Sequence, residues 1–180
     1  MMMDTKKAME LALASGFTYA AYLDAAKIEL LDEVRDMCAQ NTCGQYGKNW
    51  ACPPGCGELD KLREQVRGFR EGILVQTVGD VEDSLDFEAI VEIEALHKKH
   101  FLAAAETLKK HFPGLLALGA GCCTICQTCA WPDKPCRFPD KKVSSMEAYG
   151  ILVNDLCKKN GLSYYYGPDK MAFTSCYLLV

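Results

Sequence analysis

Apolar positions recur along the first quarter of the chain with two different spacings, which predict an alternation of helix and strand. Residues 3–15 have helical periodicity that ends at Gly16, and Phe17–Tyr22 is typical of a strand. Residues 25–37 again have a helical pattern, which leads into a group of cysteines. The Pro53-Pro54-Gly55 sequence ends this region, because neither proline nor glycine favours a continuing helix.

The central part of the chain repeats this alternation. Glu58 to Arg70 predicts a new helix, and the apolar run Ile73–Val78 predicts a buried strand. Ser84 to Phe112 is the longest helical pattern and stops at Pro113-Gly114. Its apolar stripe consists of Ile90, Ile93, His97, Phe101, Leu108 and Phe112. Leu115–Leu118 predicts a short strand that opens directly into a second group of cysteines.

The last part of the chain predicts one helix and two strands. Ser144 and Glu147 have the spacing of a capping box before an apolar helix that closes at Gly161. Leu162–Tyr166 and Met171–Val180 then have the pattern of two strands joined by a Gly-Pro-Asp turn.

Together these elements predict an α/β fold, and an α+β arrangement fits the same pattern. With 180 residues, the chain has the length of a single compact domain spanning 1–180. We expect a central sheet with flanking helices and two cysteine-rich metal loops at strand ends.

Charge and composition narrow the functional classes. The formal net charge is -4 and basic residues form no long run, so we expect no nucleic-acid or anionic-membrane partner. No apolar stretch approaches the length of a membrane span. The N-terminal sequence MMMDTKKAMELALASG is typical of an amphipathic helix rather than a secretory signal, which predicts a cytoplasmic protein.

The cysteines are the main chemical signal. There are 11, an odd number, and nine of them fall into two groups, at 38–56 and 122–136. A reducing cytosol disfavours structural disulfides, so dense cysteines there indicate metal binding or catalysis. Cys157 and Cys176 lie outside the groups in apolar patterns that predict core positions.

The second group has the spacing of an iron–sulfur loop. Cys123, Cys126 and Cys129 form a C-x2-C-x2-C run, and Cys136, which is preceded by a proline, follows after six intervening residues. Bacterial ferredoxins hold a [4Fe–4S] cluster with such a run and a more distant fourth cysteine, which can also serve a neighbouring cluster. Cys122 is an alternative to Cys123 as the ligand. Zinc is the competing cofactor, although zinc sites usually combine two separated pairs of ligands.

The first group is looser. Cys38, Cys43, Cys52 and Cys56 lie within a loop rich in glycine and proline. Glycines let a backbone approach an inorganic cofactor closely, and a helix that starts near Glu58 would direct free amides toward a thiolate. A second [4Fe–4S] cluster is the favoured interpretation, and buried thiols that pack as small apolar groups are the alternative.

Two long segments resemble signatures of a known family. They are CAQNTCGQYGKNWACPP, from Cys38, and CQTCAWPDKPCRFP, from Cys126, the latter followed by Ser145-Met-Glu-Ala148. The family is a cysteine-rich family of unknown function described as predicted metal-binding proteins, common in anaerobic bacteria and archaea.

This resemblance covers nearly the whole chain and implies a set of metal ligands. The implied ligands are Cys38, Cys43, Cys52, Cys126, Cys129 and Cys136, with Cys123 as a seventh. Cys56 stands where many members have another residue, which leaves open a first site with three cysteines and an accessible iron.

Three functions fit these observations. The first is a redox protein with two [4Fe–4S] clusters that passes electrons to a redox partner protein. The second is an enzyme whose open iron binds a small sulfur- or oxygen-containing substrate, and the third is a zinc-stabilised interaction module. A cluster loop near the surface is compatible with a homodimer. His97 and His100 are three residues apart on the long helix, but the apolar stripe around His97 favours packing over metal binding.

Overall fold

Five strands form one mixed sheet in the computed structural model, which describes the backbone of residues 2–180 and the side chains from residue 4. The strands are β1 (Tyr19–Asp24), β2 (Glu71–Asp80), β3 (Leu116–Gly119), β4 (Ser144–Ser145) and β5 (Lys170–Leu179). Their order is β1-β2-β5-β3-β4, and only the β3–β4 pair is parallel. The long central pair β2–β5 stays in register from Glu71 opposite Leu179 to Asp80 opposite Lys170.

Helices cover both faces of this sheet. They are α1 (Met2–Ala14), α2 (Asp32–Ala39), α3 (Leu59–Arg67), α4 (Phe87–His111) and α5 (Val153–Lys159), with 3₁₀ turns at Ala25–Lys27 and Glu147–Tyr149. Consecutive strand residues point to opposite faces, so Leu74 packs in one core with α3 and α5, whereas Ile73 and Val75 pack in the other with α1 and α4. The predicted α/β fold is confirmed.

The long helix α4 is fixed to the sheet by a buried polar contact. His97 is fully buried, with Nδ1 3.0 Å from the Thr77 hydroxyl and Nε2 2.7 Å from the Ser175 hydroxyl. Burial, assisted by the charges of His100 and Lys98, lowers the pKa of His97 to about 3. His97 is therefore a neutral core residue that joins α4 to β2 and β5.

The structure before the first cysteine loop differs from the predicted helix. The helix predicted over residues 25–37 is divided into the 3₁₀ turn and α2. The intervening chain is extended because the Leu31 N–H donates to the Gly150 carbonyl at 2.7 Å and the Leu30 carbonyl accepts from Arg63. These tertiary hydrogen bonds replace the helical ones that the local pattern predicts.

The predicted capping box at Ser144 is wrong. Ser144 belongs to β4, and it is the Ser145 hydroxyl that accepts from the Ala148 N–H at 3.1 Å, where it begins a 3₁₀ turn. That turn ends at Gly150, whose φ of 81° is left-handed, and α5 starts only at Val153.

The strand predicted over Leu162–Tyr166 is also wrong. This segment is tied to the sheet by side chains: the Tyr166 hydroxyl donates to Gln76 Oε1 at 2.6 Å, and Gln76 Nε2 donates to the Ser163 carbonyl at 2.9 Å. Side-chain hydrogen bonds, and not a backbone ladder, therefore hold this segment beside the sheet. Among the described residues, none of the helices has the length and apolar character needed to cross a membrane.

Candidate metal centre

The second cysteine loop leaves the sheet at the end of β3 and returns to it as β4. Because β3 and β4 are adjacent and parallel, the intervening residues 120–143 form a loop anchored at both ends by the same sheet edge. Arg137 donates to the Thr128 carbonyl at 2.7 Å, and Lys109 of α4 donates to the Asp140 carbonyl at 2.7 Å. These bonds hold an irregular loop in a defined shape.

This loop brings four predicted ligands around one small cavity, which we call the second site. Its volume is about 30 Å³, and it is lined by Cys123, Cys126, Cys129 and Cys136. Trp50 and Ala51 of the first cysteine loop close one side, and Phe138 and Lys142 also border it. A small cavity lined by four thiols has the donor set of an iron–sulfur cluster or a zinc ion.

The first cysteine loop follows α2, whose last turn contains Cys38. Three of its cysteines, Cys38, Cys43 and Cys52, line a larger cavity of about 440 Å³, which we call the first site. The cavity also borders Tyr46, Glu94 of α4 and Glu147. The structure therefore brings together three of the four cysteines predicted from this loop.

Two asparagines shape this loop, and sequence reasoning did not identify either of them. Asn41 has a left-handed φ of 56°, and its side chain accepts from the Tyr46 N–H at 3.0 Å. The buried Asn49 accepts from the N–H groups of Ala51 and Cys52 at 3.0 and 2.8 Å. Asparagine commonly bonds to backbone groups two or three residues ahead, so the Asn49-x-x-Cys52 spacing was the available signal.

Cys56 lies outside the cavity of the first site. Its sulfur is 3.7 Å from an Arg35 nitrogen and 3.6 Å from the Ala148 carbonyl oxygen, and its side chain packs against the α3–α5 core. It borders a different cavity beneath Tyr149. Burial raises the pKa of this thiol, and the guanidinium of Arg35 opposes that rise.

Cys122 and Cys123 face different sites. Cys122 lines the first site together with Cys38, Cys43 and Cys52, whereas Cys123 lines the second. Both also border a small cavity of about 20 Å³ between the loop and α4. Sequence reasoning treated the two cysteines as alternatives for one site, because spacing along the chain does not show which way each side chain points.

Burial raises the pKa of two thiols of the first site, Cys52 and Cys38, and so favours their protonated forms. Burial raises the pKa of Cys52 to about 11, against a hydrogen bond from Asn49, and the nearby thiols of Cys122, Cys43 and Cys56 act in the same direction as burial. Burial also raises the pKa of Cys38, with Glu147 as the second cause. Binding of a metal would therefore displace protons from these sulfurs.

The cysteines line cavities and do not converge on one metal-binding position. Within residues 2–180, no three Cys, His, Asp or Glu side chains converge closely enough to hold a single metal ion. The candidate centre is thus defined by which thiols share a cavity and by the charges around them.

An α/β fold whose loops carry two cysteine-lined cavities defines a cysteine-rich type of metal-binding protein. The model of the family described as predicted metal-binding protein (DUF2284) matches residues 21–179, and the chain belongs to that family. The resemblance of the two cysteine signatures is thereby confirmed. Comparisons with curated proteins and with solved structures gave no match.

Proposed function

We propose that this protein is an iron–sulfur protein that binds two [4Fe–4S] clusters and transfers electrons. The observation that carries the proposal is the second site, where Cys123, Cys126, Cys129 and Cys136 line one cavity. Their C-x2-C-x2-C run has the spacing that ferredoxins use to hold a cluster, and Cys136 supplies a more distant fourth thiol. The family assignment supports metal binding in general, and the spacing favours iron–sulfur over zinc.

Cys38, Cys43 and Cys52 would hold the other cluster at the first site. A bound cluster supplies a one-electron couple, and the protein sets its potential through hydrogen bonds, charge and exclusion of water. Trp50 and Ala51 of the first cysteine loop border the second site, so the two clusters would lie close to each other. An electron would pass from one cluster to the other and then to a redox partner protein. We place this activity in a reducing, cytoplasmic environment, in accord with the free thiols.

The surroundings of the second site support a tuned redox centre. Trp50, Ile125 and Phe138 border its cavity and would exclude water from it. Lys142 borders the same cavity, and its positive charge would offset the negative charge of a thiolate-bound cluster. Both effects change the free energy of adding an electron to the cluster. Exclusion of water lowers the local dielectric constant, and the positive charge of Lys142 attracts the added electron.

The first site favours a second candidate function, a cluster-dependent enzyme. Its cavity of about 440 Å³ is far larger than that of the second site, and Gln45, Tyr46 and Glu94 offer polar groups around it. An iron with one free coordination position there would bind a small sulfur- or oxygen-containing substrate. If so, a small thiol such as 2-mercaptoethanol would alter the EPR signal of the first cluster and leave that of the second unchanged.

Metal and sulfide analysis of the anaerobically purified protein tests the proposal. We expect about eight iron atoms and eight sulfides per chain, with EPR signals of two reduced clusters. Cys126→Ala should lose about half of the iron, while Cys157→Ala, at a core cysteine that lines neither site, should retain all of it. Zinc without sulfide would instead establish a zinc-stabilised module and refute the proposal.

A further inference from the structure

The direction of the Cys122 side chain is set by its neighbours in the fold. The chain leaves β3 through Gly121, which has a left-handed φ of 71°. A Cβ at Gly121 would lie 2.9 Å from the Glu94 carboxylate, which also forms a 2.6 Å salt bridge with Lys98. Glycine therefore allows the loop to run close over α4, and Cys122 enters the first site directly after that turn.

Cys122 meets the first-loop cysteines there. It lines the same cavity as Cys38, Cys43 and Cys52. Cys122 comes from a loop far along the chain, yet it is the fourth cysteine that lines this cavity.

Cys56 is the competing candidate for the fourth position, because it is the remaining cysteine of the first loop. Its own contacts oppose that assignment. The sulfur is occupied by Arg35 and the Ala148 carbonyl, and the side chain borders a different cavity and packs in the core. To reach the first site, it would have to give up these contacts.

We propose that Cys122 is the fourth ligand of the first cluster, so that the consecutive residues Cys122 and Cys123 bind two different clusters. This inference rests on the proposed function and adds a ligand that completes the first site. Consecutive Cα atoms are about 3.8 Å apart, so one peptide unit would connect the two clusters. The short separation would couple their electron spins when both are reduced and would give a direct route for electron exchange.

A set of single alanine variants of the full chain tests this assignment. Cys122→Ala should lose about half of the wild-type iron and sulfide and retain the EPR signal of the second cluster, which also shows that the variant folds. Cys123→Ala should lose the other signal, and Cys56→Ala should keep both clusters. In the fully reduced wild type, EPR should show splitting or broadening from spin coupling, which each single-cluster variant lacks.

Two results would overturn the assignment while leaving two clusters in the wild type. One is a full iron complement in Cys122→Ala, and the other is loss of the first cluster in Cys56→Ala together with its retention in Cys122→Ala. If Cys122→Ala does not fold, Cys122→Ser decides instead: a serine oxygen should shift the EPR signal of the first cluster alone, and an unchanged signal refutes the assignment. A wild type without iron and sulfide refutes the proposed function itself, which is a separate outcome.

Discussion

Trp50 and Trp131 each donate an indole hydrogen bond to the loop that carries the other. Trp50 Nε1 donates to the Lys134 carbonyl at 2.9 Å, and Trp131 Nε1 donates to the Gly47 carbonyl at 2.8 Å. The two rings meet edge to face with centroids 4.6 Å apart. This reciprocal contact joins the two cysteine loops, so the first and second sites are fixed relative to each other.

Gly55 makes that junction possible. A Cβ at this position would lie 2.4 Å from the Asn49 carbonyl oxygen and 3.2 Å from the Trp131 ring. A side chain would therefore displace either the backbone of the first loop or the indole of the second. The requirement for glycine here comes from the close approach of two loops rather than from a special backbone angle.

Removing one indole hydrogen bond should loosen the two loops. Trp131→Phe keeps an aromatic ring beside Trp50 but loses the bond to Gly47, at a cost of about 1 kcal/mol. For a chain of this length, the Tm of the cluster-loaded protein should fall by about 2–4 °C. Tyr165→Phe, at a residue that is 70% exposed, is the control and should leave the Tm unchanged. An unchanged Tm in Trp131→Phe would show that the junction adds no stability.

Replacing His97 should destabilise the fold without removing a metal. His97→Leu leaves the buried hydroxyls of Thr77 and Ser175 without their histidine partner, and we expect a loss of about 2–4 kcal/mol in the free energy of unfolding. The same substitution at the exposed His111 should change it by less than about 0.5 kcal/mol. Denaturant titrations measure both effects. Loss of iron from folded His97→Leu would contradict a purely structural role.

The buried histidine also predicts a pH dependence. His97 has a pKa of about 3 in the folded protein, whereas an unperturbed histidine titrates near 6.5. Between these values the unfolded chain binds one more proton, so the free energy of unfolding falls as pH is lowered, by about 1.4 kcal/mol per pH unit from this group. Unfolding at pH 7.5, 6 and 5 should show a shallower slope for His97→Leu than for the wild type. Equal slopes would refute this contribution.

Lys142 should raise the reduction potential of the second cluster. Lys142 borders the second site. An added electron makes a cluster more negative, so a nearby positive charge stabilises the reduced form. Lys142→Gln should therefore shift the midpoint potential of that cluster to a more negative value in an EPR-monitored redox titration. Lys141→Gln is the matched control, because Lys141 is exposed and does not border the cavity. Equal midpoints in the two variants would contradict the assigned role.

The sequence predicted local features of this molecule better than tertiary ones. The spacing of Cys123, Cys126, Cys129 and Cys136 is compact, so the loop itself brings these residues around one cavity. The fourth cysteine of the first site could not be predicted from spacing along the chain. Cys122 lies 70 positions beyond Cys52, and the two share a cavity only because β3 places the second loop beside the first.

The errors in secondary structure have a similar origin. The capping spacing of Ser144 and Glu147 is local, but Ser144 pairs with β3 as a strand and Glu147 lies in the following 3₁₀ turn. The apolar pattern of residues 162–166 resembles a strand, yet Gln76 and Tyr166 hold the segment by side-chain hydrogen bonds. In each case a tertiary contact overrides a preference that is correct for an isolated segment.

Native mass spectrometry of the anaerobically prepared chain counts the clusters that it binds. We expect a mass increment equal to two intact [4Fe–4S] clusters on the wild-type chain and one cluster on Cys126→Ala. An increment that corresponds to zinc ions, with no inorganic sulfide, would contradict the proposed iron–sulfur protein.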